Sequence, residues 1–236
     1  MTIEESKQKL KNEGYTWFEL EELNPEFYNW LLPFKCNDTQ NIKDSITGFR
    51  VDMINNSTGE KIQYREEFET HTDATLKANE IFSLVDNEEV RSSQIWYYSD
   101  FKTIIKDPKE ISKFENYIKN IIMYFYDFEE TQEYSLFAPM FTYYEKGCHL
   151  GNHSDGTGTG RVCAFLLYLN ETYHEKDGGY LVLNNKDKVI PTFGKIAMID
   201  LQTFDIPHMV TKVTDGIGRY ALLSFIKKKE NEFIDY

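Results

Sequence analysis

The second half of the chain alternates short apolar segments with turn residues, and this spacing constrains the fold more than any other feature. From Leu136 onward, each run rich in aromatic and β-branched residues is short. Turns are marked by Gly178-Gly179, Gly194-Lys195 and Asp215-Gly216. We predict strands over residues 136–146, 162–169, 180–183, 189–190, 196–201, 208–213 and 219–227. Short strands at such regular spacing favour a double-sheet jelly roll.

The pattern of residues in the first half of the chain predicts mainly helices. Thr2 and Glu5 form a capping-box pattern, and Gly14 ends the amphipathic segment that follows. Further helices are expected from Asn24-Pro25, over 73–85 and over 108–126, with a strand over 94–98 and a loop over 37–48. In residues 108–126 the apolar side chains recur every third or fourth position, which predicts a core-facing stripe. We expect these helices to pack against one sheet of the roll.

The length and composition suit one large domain. The chain has 236 residues, of which 41% are hydrophobic and 15% aromatic, so it can bury a substantial core. We predict an α+β, mainly β fold, with a double-stranded β-helix (jelly roll) core and flanking N-terminal helices. Residues 1–130 would form a helical and mixed support region. Residues 131–229 would form the catalytic core of the same single domain.

The net charge and the cysteines indicate which binding partners and which cellular compartment to expect. The formal net charge of −13 argues against nucleic acid and anionic membranes, which attract positive surfaces. No apolar stretch approaches the length of a membrane span, and the charged N-terminus lacks a signal-peptide pattern. Three cysteines, Cys36, Cys148 and Cys163, favour ordinary thiols in a reducing compartment over a disulfide framework or a zinc site with His149. We therefore expect a cytoplasmic protein. Its oligomeric state is left open.

Two histidines and one aspartate form a candidate metal site. His153 and Asp155 lie two residues apart, so on an extended strand they point to the same face. His208 would come from another strand. Two imidazoles and one carboxylate leave metal positions open, as in non-haem Fe(II) oxygenases, although such ligands also hold Zn, Mn or Co. The residues alone do not choose the metal.

Arg219 is the second candidate functional residue. Strand alternation places Arg219, Ala221, Leu223 and Phe225 on one face, and Tyr220, Leu222, Ser224 and Ile226 on the other. An arginine on an apolar face needs a partner, because an unpaired buried charge is costly. A bound dicarboxylate could supply that partner through a bidentate contact, and the small Ala221 would leave room for it.

Several segments in this region together resemble one enzyme family. They are Y-Y-E-K-G-C-H-L-G-N-H-S-D, R-V-C-A-F-L-L-Y-L-N, D-G-G-Y-L-V-L, I-P-T-F-G-K-I-A-M-I-D, P-H-M-V and G-R-Y-A-L-L-S-F, in this order. Residues from about Tyr143 to Phe225 thus resemble the Fe(II)/2-oxoglutarate-dependent dioxygenases, in particular the prolyl 4-hydroxylase branch. The first 130 residues show no matching motif.

The resemblance implies a catalytic role for four residues. His153, Asp155 and His208 would bind the iron, and Arg219 would hold the distal carboxylate of 2-oxoglutarate. O2 would be the second co-substrate, 2-oxoglutarate would be decarboxylated to succinate and CO2, and ascorbate is a further candidate cofactor. Halogenating relatives have a small residue in place of the carboxylate, so the presence of Asp155 favours hydroxylation.

The resemblance also implies a set of side chains around the co-substrate. Tyr144, or its neighbour Tyr143, stands where family members offer a phenol, and Tyr168 holds a similar place on the next strand. Leu166 and Leu181 would line the pocket.

Three functions fit these residues. The first is hydroxylation of a prolyl residue in a protein or peptide, and the second is the same chemistry on a free amino acid or small metabolite. The third is a catalytically silent jelly roll that keeps a metal. Two loops could shape substrate entry: Gly156–Gly160, which no helix follows and which is therefore not a phosphate loop, and Asn170–Asp177, in which His174 is expected at the surface.

Overall fold

The computed structural model describes residues 1–36, 48–55, 62–68, 73, 76–77, 80, 96–100, 105–127, 134–157, 160–215 and 218–228. Its helices are α1 (Ile3–Glu13), α2 (Leu20–Leu23), α3 (Pro25–Leu31) and α4 (Pro108–Tyr126), with 3-10 turns at Leu32–Phe34 and Glu175–Asp177. The predicted capping box at Thr2 is present, and Gly14 ends α1 with a φ of 79°, a conformation that glycine adopts readily. Pro108 occupies the first turn of α4, where its missing N–H costs no hydrogen bond.

Twelve strands lie within the described residues: β1 (Tyr15–Glu19), β2 (Gly48–Asn55), β3 (Ile62–Phe68), β4 (Trp96–Asp100), β5 (Tyr134–Tyr144), β6 (Leu150–His153), β7 (Arg161–Tyr168), β8 (Leu181–Leu183), β9 (Asp187–Val189), β10 (Lys195–Asp200), β11 (His208–Val210) and β12 (Arg219–Lys228). They form two antiparallel sheets. The larger sheet has the order β1-β10-β7-β12-β5-β4-β2-β3, and the smaller has the order β6-β11-β8-β9. This is the predicted α+β, mainly β jelly roll.

The predicted strands of the second half agree with the structure to within a few residues. The strand predicted over 208–213 is shorter, because β11 ends at Val210 and Val213 makes only an isolated bridge to Gly178. The strand predicted over 94–98 is β4, at 96–100. Of the helix predicted over 73–85, residues 73, 76, 77 and 80 are helical, and the others lie outside the described residues, as do residues 37–47 of the predicted loop.

Four strands were not predicted: β1, β2, β3 and β6. Residue 48, the last of the predicted loop, begins β2. The four residues of β6, L-G-N-H, have little intrinsic preference for a strand. They adopt one because they pair with β11, so tertiary contacts override the local signal.

Side chains pack on both sides of the larger sheet. The helix-side core contains residues of α1, α3 and α4 together with strand residues such as Phe165 and Leu222. The inner core, between the two sheets, contains residues such as Tyr144, Tyr168 and Leu181. The expectation that the helices cover one sheet is therefore confirmed for α1, α3 and α4.

Candidate metal centre

Strand pairing brings the two histidines together. His208 on β11 lies directly opposite His153 on β6, and the centroids of the two rings are 4.2 Å apart. The carboxylate of Asp155 lies against both rings. Its Oδ1 is 3.9 Å from Nε2 of His153, and its Oδ2 is 3.7 Å from Nε2 of His208. One ligand atom from each of the three residues falls within 4.8 Å of the others, which is a spacing that one metal ion could bridge.

Backbone carbonyls orient both imidazoles. Nδ1 of His153 is 2.8 Å from the carbonyl oxygen of Gly151, and Nδ1 of His208 is 3.0 Å from that of Ile206. A carbonyl oxygen only accepts hydrogen bonds, so each Nδ1 carries the proton and donates it. Each Nε2 then keeps its lone pair toward Asp155. This is the arrangement that metal-bound histidines adopt.

Asp155 reaches the histidines from a loop and not from a strand. Strand β6 ends at His153, so the predicted extended i and i+2 pair is wrong in its local structure. The strand predicted over 136–146 corresponds to β5, which lies in the other sheet and ends at Tyr144, so it does not carry His153. Side-chain contacts, instead of strand geometry, fix the loop that carries the carboxylate.

Three contacts hold that loop. Nη2 of Arg161 donates a hydrogen bond to the carbonyl oxygen of Asp155 at 2.7 Å, and the backbone N–H of Gly156 donates to Oγ of Ser154 at 3.1 Å. The Ser154 hydroxyl in turn donates to the carboxylate of Asp205, three residues before His208. The segments carrying the first and last ligands are therefore tied together by a contact that sequence spacing could not reveal.

Arg219 begins β12 and is only 2% exposed. Its guanidinium carbon lies 5.3 Å from the ring centroid of Tyr144 and 5.1 Å from that of Tyr168, and Nη2 donates a long hydrogen bond of 3.4 Å to the Tyr168 hydroxyl. Its Nε is buried and has no hydrogen-bond partner, and no carboxylate among the described residues pairs with it. A buried arginine in this state has an unsatisfied donor that an anionic ligand could pair with.

The structure distinguishes the two candidate tyrosines of β5. Tyr144 lies in the inner core opposite Arg219, whereas Tyr143 lies in the helix-side core and stacks on Tyr220 with ring centroids 4.6 Å apart. Burial raises the pKa of Tyr168, although the charge of Arg219 opposes the shift. Tyr168 therefore stays a neutral phenol.

The two predicted leucines border the same core. Leu181 on β8 is buried within it, and Leu166 on β7 packs against it. The segment Asn170–Asp177 contributes a residue that the sequence did not single out: Tyr173, which is 8% exposed and whose hydroxyl has no hydrogen-bond partner among the described residues. His174 is exposed, as expected.

The cysteines do not form an alternative metal site. Cys148 lies in the inner core, whereas Cys36 and Cys163 lie in the helix-side core, and none of the three forms a disulfide. Within the part of the chain that the structure describes, His153, Asp155 and His208 are the one group of three such side chains arranged to hold a metal ion. No helix in that part is long and apolar enough to cross a membrane.

Comparison with known proteins agrees with this geometry. Residues 139–227 match the model of the 2OG-Fe(II) oxygenase superfamily, and this match includes the metal cluster and Arg219. No curated protein is significantly similar to the chain in sequence.

Two solved structures share the fold over almost the whole chain. One is a prolyl-4-hydroxylase from Pseudomonas putida, with 14% identity and a TM-score of 0.53, covering 97% of this chain and 100% of that one. The other is a prolyl hydroxylase from Trichoplax adhaerens in complex with a hypoxia inducible factor oxygen degradation domain peptide fragment. It has 15% identity and a TM-score of 0.53, covering 94% of this chain and 87% of that one. Residues 139–227 are therefore similar to the 2OG-Fe(II) oxygenase superfamily, and the chain has the same fold as these two prolyl hydroxylases.

Proposed function

We propose that this protein is an Fe(II)- and 2-oxoglutarate-dependent dioxygenase that hydroxylates a prolyl residue of a protein or peptide. One observation carries the proposal. The strands of His153 and His208 border the inner core through Leu150 and Val210, and Arg219, a buried arginine that no carboxylate among the described residues neutralises, contacts the same core through Tyr144 and Tyr168. The two histidines with Asp155 suit a divalent metal, and Arg219 suits a dicarboxylate.

The metal would be held by His153, Asp155 and His208. The donor set fits Fe(II), because the two Nε2 atoms and the carboxylate point toward one another and the Nδ1 protons are engaged by carbonyl oxygens. With three protein ligands, coordination positions stay open for co-substrates. Bound Fe(II), together with O2, would supply the oxidising chemistry. The chain's contribution is the orientation of the ligands.

Arg219 would bind the distal carboxylate of 2-oxoglutarate. Its planar fork of N–H donors matches a carboxylate, and Tyr168 stands beside Nη2 to donate to the same group. Tyr144 would bound the pocket from β5, while Leu166 and Leu181 would supply apolar walls. These buried side chains would exclude water, which strengthens the ion pair between Arg219 and the carboxylate. Ascorbate would serve as a reductant that keeps the iron in the ferrous state.

The prolyl substrate is supported by the two solved structures with this fold. Both are named as prolyl hydroxylases, and one was solved with a peptide fragment. We further propose one domain, since β1 and β4 from the first half extend the sheet that contains β5 and β12. A reducing cytoplasm would suit three cysteines that form no disulfide.

The test is oxygen incorporation from isotopically labelled O2. Protein loaded anaerobically with Fe(II) is supplied with 2-oxoglutarate, labelled O2, and either a panel of proline-containing peptides or free amino acids, proline included. We expect one labelled oxygen atom in a peptide, with an equal amount of succinate, and no reaction with Asp155→Ala. If only a free amino acid acquired the label, the substrate would be a small metabolite and not a prolyl peptide. Absence of succinate under all conditions would contradict the dioxygenase proposal.

A further inference from the structure

The hydroxyl of Tyr173 is buried and has no hydrogen-bond partner among the described residues. Tyr173 lies between the bridge at Asn170 and the 3-10 turn Glu175–Asp177, and its side chain enters the protein instead of facing solvent. A buried hydroxyl that makes no hydrogen bond costs free energy, so proteins rarely keep one without a use. The residues around this hydroxyl indicate its function.

Tyr173 approaches the stem of Arg219 across a glycine. A Cβ atom built on Gly179 would lie 2.4 Å from the Tyr173 hydroxyl oxygen and 3.5 Å from Cδ of Arg219. The hydroxyl and Cδ of Arg219 therefore border the same small space beside Gly179, which a side chain at residue 179 would fill. Gly179 also has a φ of +64°, which glycine adopts without strain. The close approach thus depends on this glycine.

The partners of Arg219 are distributed unevenly along its guanidinium. Nη2 has the hydroxyl of Tyr168 as a partner, but Nε, which is bonded to Cδ, has none within the described part of the chain. Nε and Nη2 can serve as the two prongs that bind a carboxylate bidentately. Nη2 is thus beside Tyr168, and Nε is on the Cδ side of the guanidinium, which is the side nearer to Tyr173.

We propose that Tyr173 is a further co-substrate-binding residue, which donates a hydrogen bond to the distal carboxylate of 2-oxoglutarate on the Nε side of Arg219. One carboxylate oxygen would then bind Nη2 and Tyr168, and the other would bind Nε and Tyr173. This inference rests on the proposed function. It assigns to the segment Asn170–Asp177 a role in recognising a carboxylate at the far end of the ligand.

The segment that carries Tyr173 is anchored well enough to hold the hydroxyl in place. The N–H of Glu171 donates to the carbonyl oxygen of Cys36 at 2.8 Å, and the N–H of His174 donates to Oδ2 of Asp177 at 2.8 Å. The N–H of Thr214 donates to the carbonyl oxygen of Asp177, also at 2.8 Å. The segment is thus held in place beside Arg219, and the Tyr173 hydroxyl is positioned before a ligand arrives. Burial raises the pKa of Tyr173, so the group is a neutral donor.

The experiment measures equilibrium binding by calorimetry, without turnover. Anaerobic Fe(II)-loaded wild type, Tyr173→Phe and Tyr220→Phe are titrated with 2-oxoglutarate and with 2-oxopentanoate, which has the same chain but no distal carboxylate. We expect Tyr173→Phe to raise the Kd for 2-oxoglutarate by about 10-fold, the effect of one hydrogen bond to a charged group. Its Kd for 2-oxopentanoate should equal that of the wild type. Tyr220→Phe, the same change in a buried tyrosine of the helix-side core, should leave both Kd values unaltered.

Two results would overturn the assignment of Tyr173. One is an unaltered Kd for 2-oxoglutarate in Tyr173→Phe, and the other is equal weakening for both ligands. Thermal unfolding of the ligand-free variant gives a second test. We expect an unchanged or higher Tm, because the substitution removes an unbonded hydroxyl, whereas a lower Tm would mean that the hydroxyl has a structural partner. A wild type that binds no 2-oxoglutarate would instead contradict the proposed function.

Discussion

The two faces of β12 differ in what they bury, although the same ten residues form both. On one face, Tyr220, Leu222 and Ile226 pack into the helix-side core. On the other, Arg219 and Ala221 face the inner core, beside Tyr144 and Tyr168. Adjacent residues in one strand therefore serve two purposes. The first face stabilises the fold, and the second carries Arg219, for which we propose a role in ligand binding.

The helix-side core derives its stability from dense aromatic packing. Phe18 stacks on Phe125 with ring centroids 4.6 Å apart, and Phe27 stacks on Tyr117 at 4.7 Å. Beside the inner core, Arg219 contacts Tyr144 and Tyr168, and both Arg219 and Tyr173 have a buried polar atom that lacks a described partner. Such atoms reduce the stability of the ligand-free protein. We infer that substitutions in the two cores have separable effects on stability and on binding.

The largest effect is expected at the metal. His208→Ala removes one of three protein ligands and should weaken binding of Mn(II), a redox-stable substitute for Fe(II), by more than about 100-fold, since losing even the hydrogen-bond partner of a ligand costs 10–100-fold. The matched control is His174→Ala, an exposed histidine, which should bind Mn(II) as the wild type does. Electron paramagnetic resonance titration of free Mn(II) measures both. Equal Mn(II) affinity in the two variants would show that His208 does not bind the metal.

The next effect is expected in the helix-side core. Phe114 on α4 is fully buried and packs against Phe27. Phe114→Ala should lower the free energy of unfolding by about 3–5 kcal/mol, because it leaves a cavity in a packed core. Denaturant unfolding checks this value, and the variant's folded fraction should bind Mn(II) with the wild-type Kd. A weakened metal site would show that the two cores are coupled and not separable.

A smaller effect is expected where the two faces meet. The side chain of Asn170 donates to the carbonyl oxygen of Gly218 at 2.7 Å and accepts from the N–H of Tyr220 at 2.8 Å, so it brackets Arg219. Asn170→Ala should destabilise the protein by about 1–3 kcal/mol, because two buried backbone groups lose their partner. It should also weaken 2-oxoglutarate binding, since the backbone at Arg219 is no longer fixed. Asn12→Ala, at an exposed position of α1, is the control for both measurements. Unchanged binding in Asn170→Ala would show that Arg219 needs no such support.

The smallest effect is expected at the partly exposed end of α1, at Glu13. Hydrogen bonds from Lys186 and Lys9 lower the pKa of Glu13 to about 2. Because the folded-state pKa lies below the unfolded one, the stabilisation is present above pH 4.5 and is lost as the pH falls toward 2. Glu13 is partly exposed, so we expect Glu13→Gln to destabilise by less than about 1 kcal/mol at neutral pH, and by nothing near pH 2. Urea midpoints at the two pH values test this, and a difference that grows with acidity would contradict it.

Sequence reasoning singled out the three side chains of the candidate metal site, Arg219 and most strands of the second half because each has a local signature. The alternation along β12 and the apolar stripe of α4 follow from the periods of strand and helix, so both were predictable. The loop position of Asp155 and the role of Ser154 and Asp205 depend on contacts between distant segments. Tyr173 was missed for the same reason, since Gly179 and Arg219 come close to it only through folding.

The most direct test is the conversion of 2-oxoglutarate to succinate when no substrate is present to be hydroxylated. Fe(II)-loaded wild type, His208→Ala and Arg219→Met are given 2-oxoglutarate and O2, and the succinate formed is measured. Wild type should form succinate only when both Fe(II) and O2 are present. His208→Ala should form none, and Arg219→Met should require a much higher concentration of 2-oxoglutarate. Equal rates in wild type and Arg219→Met, or succinate from His208→Ala, would contradict the assignment of this core as a metal- and 2-oxoglutarate-dependent site.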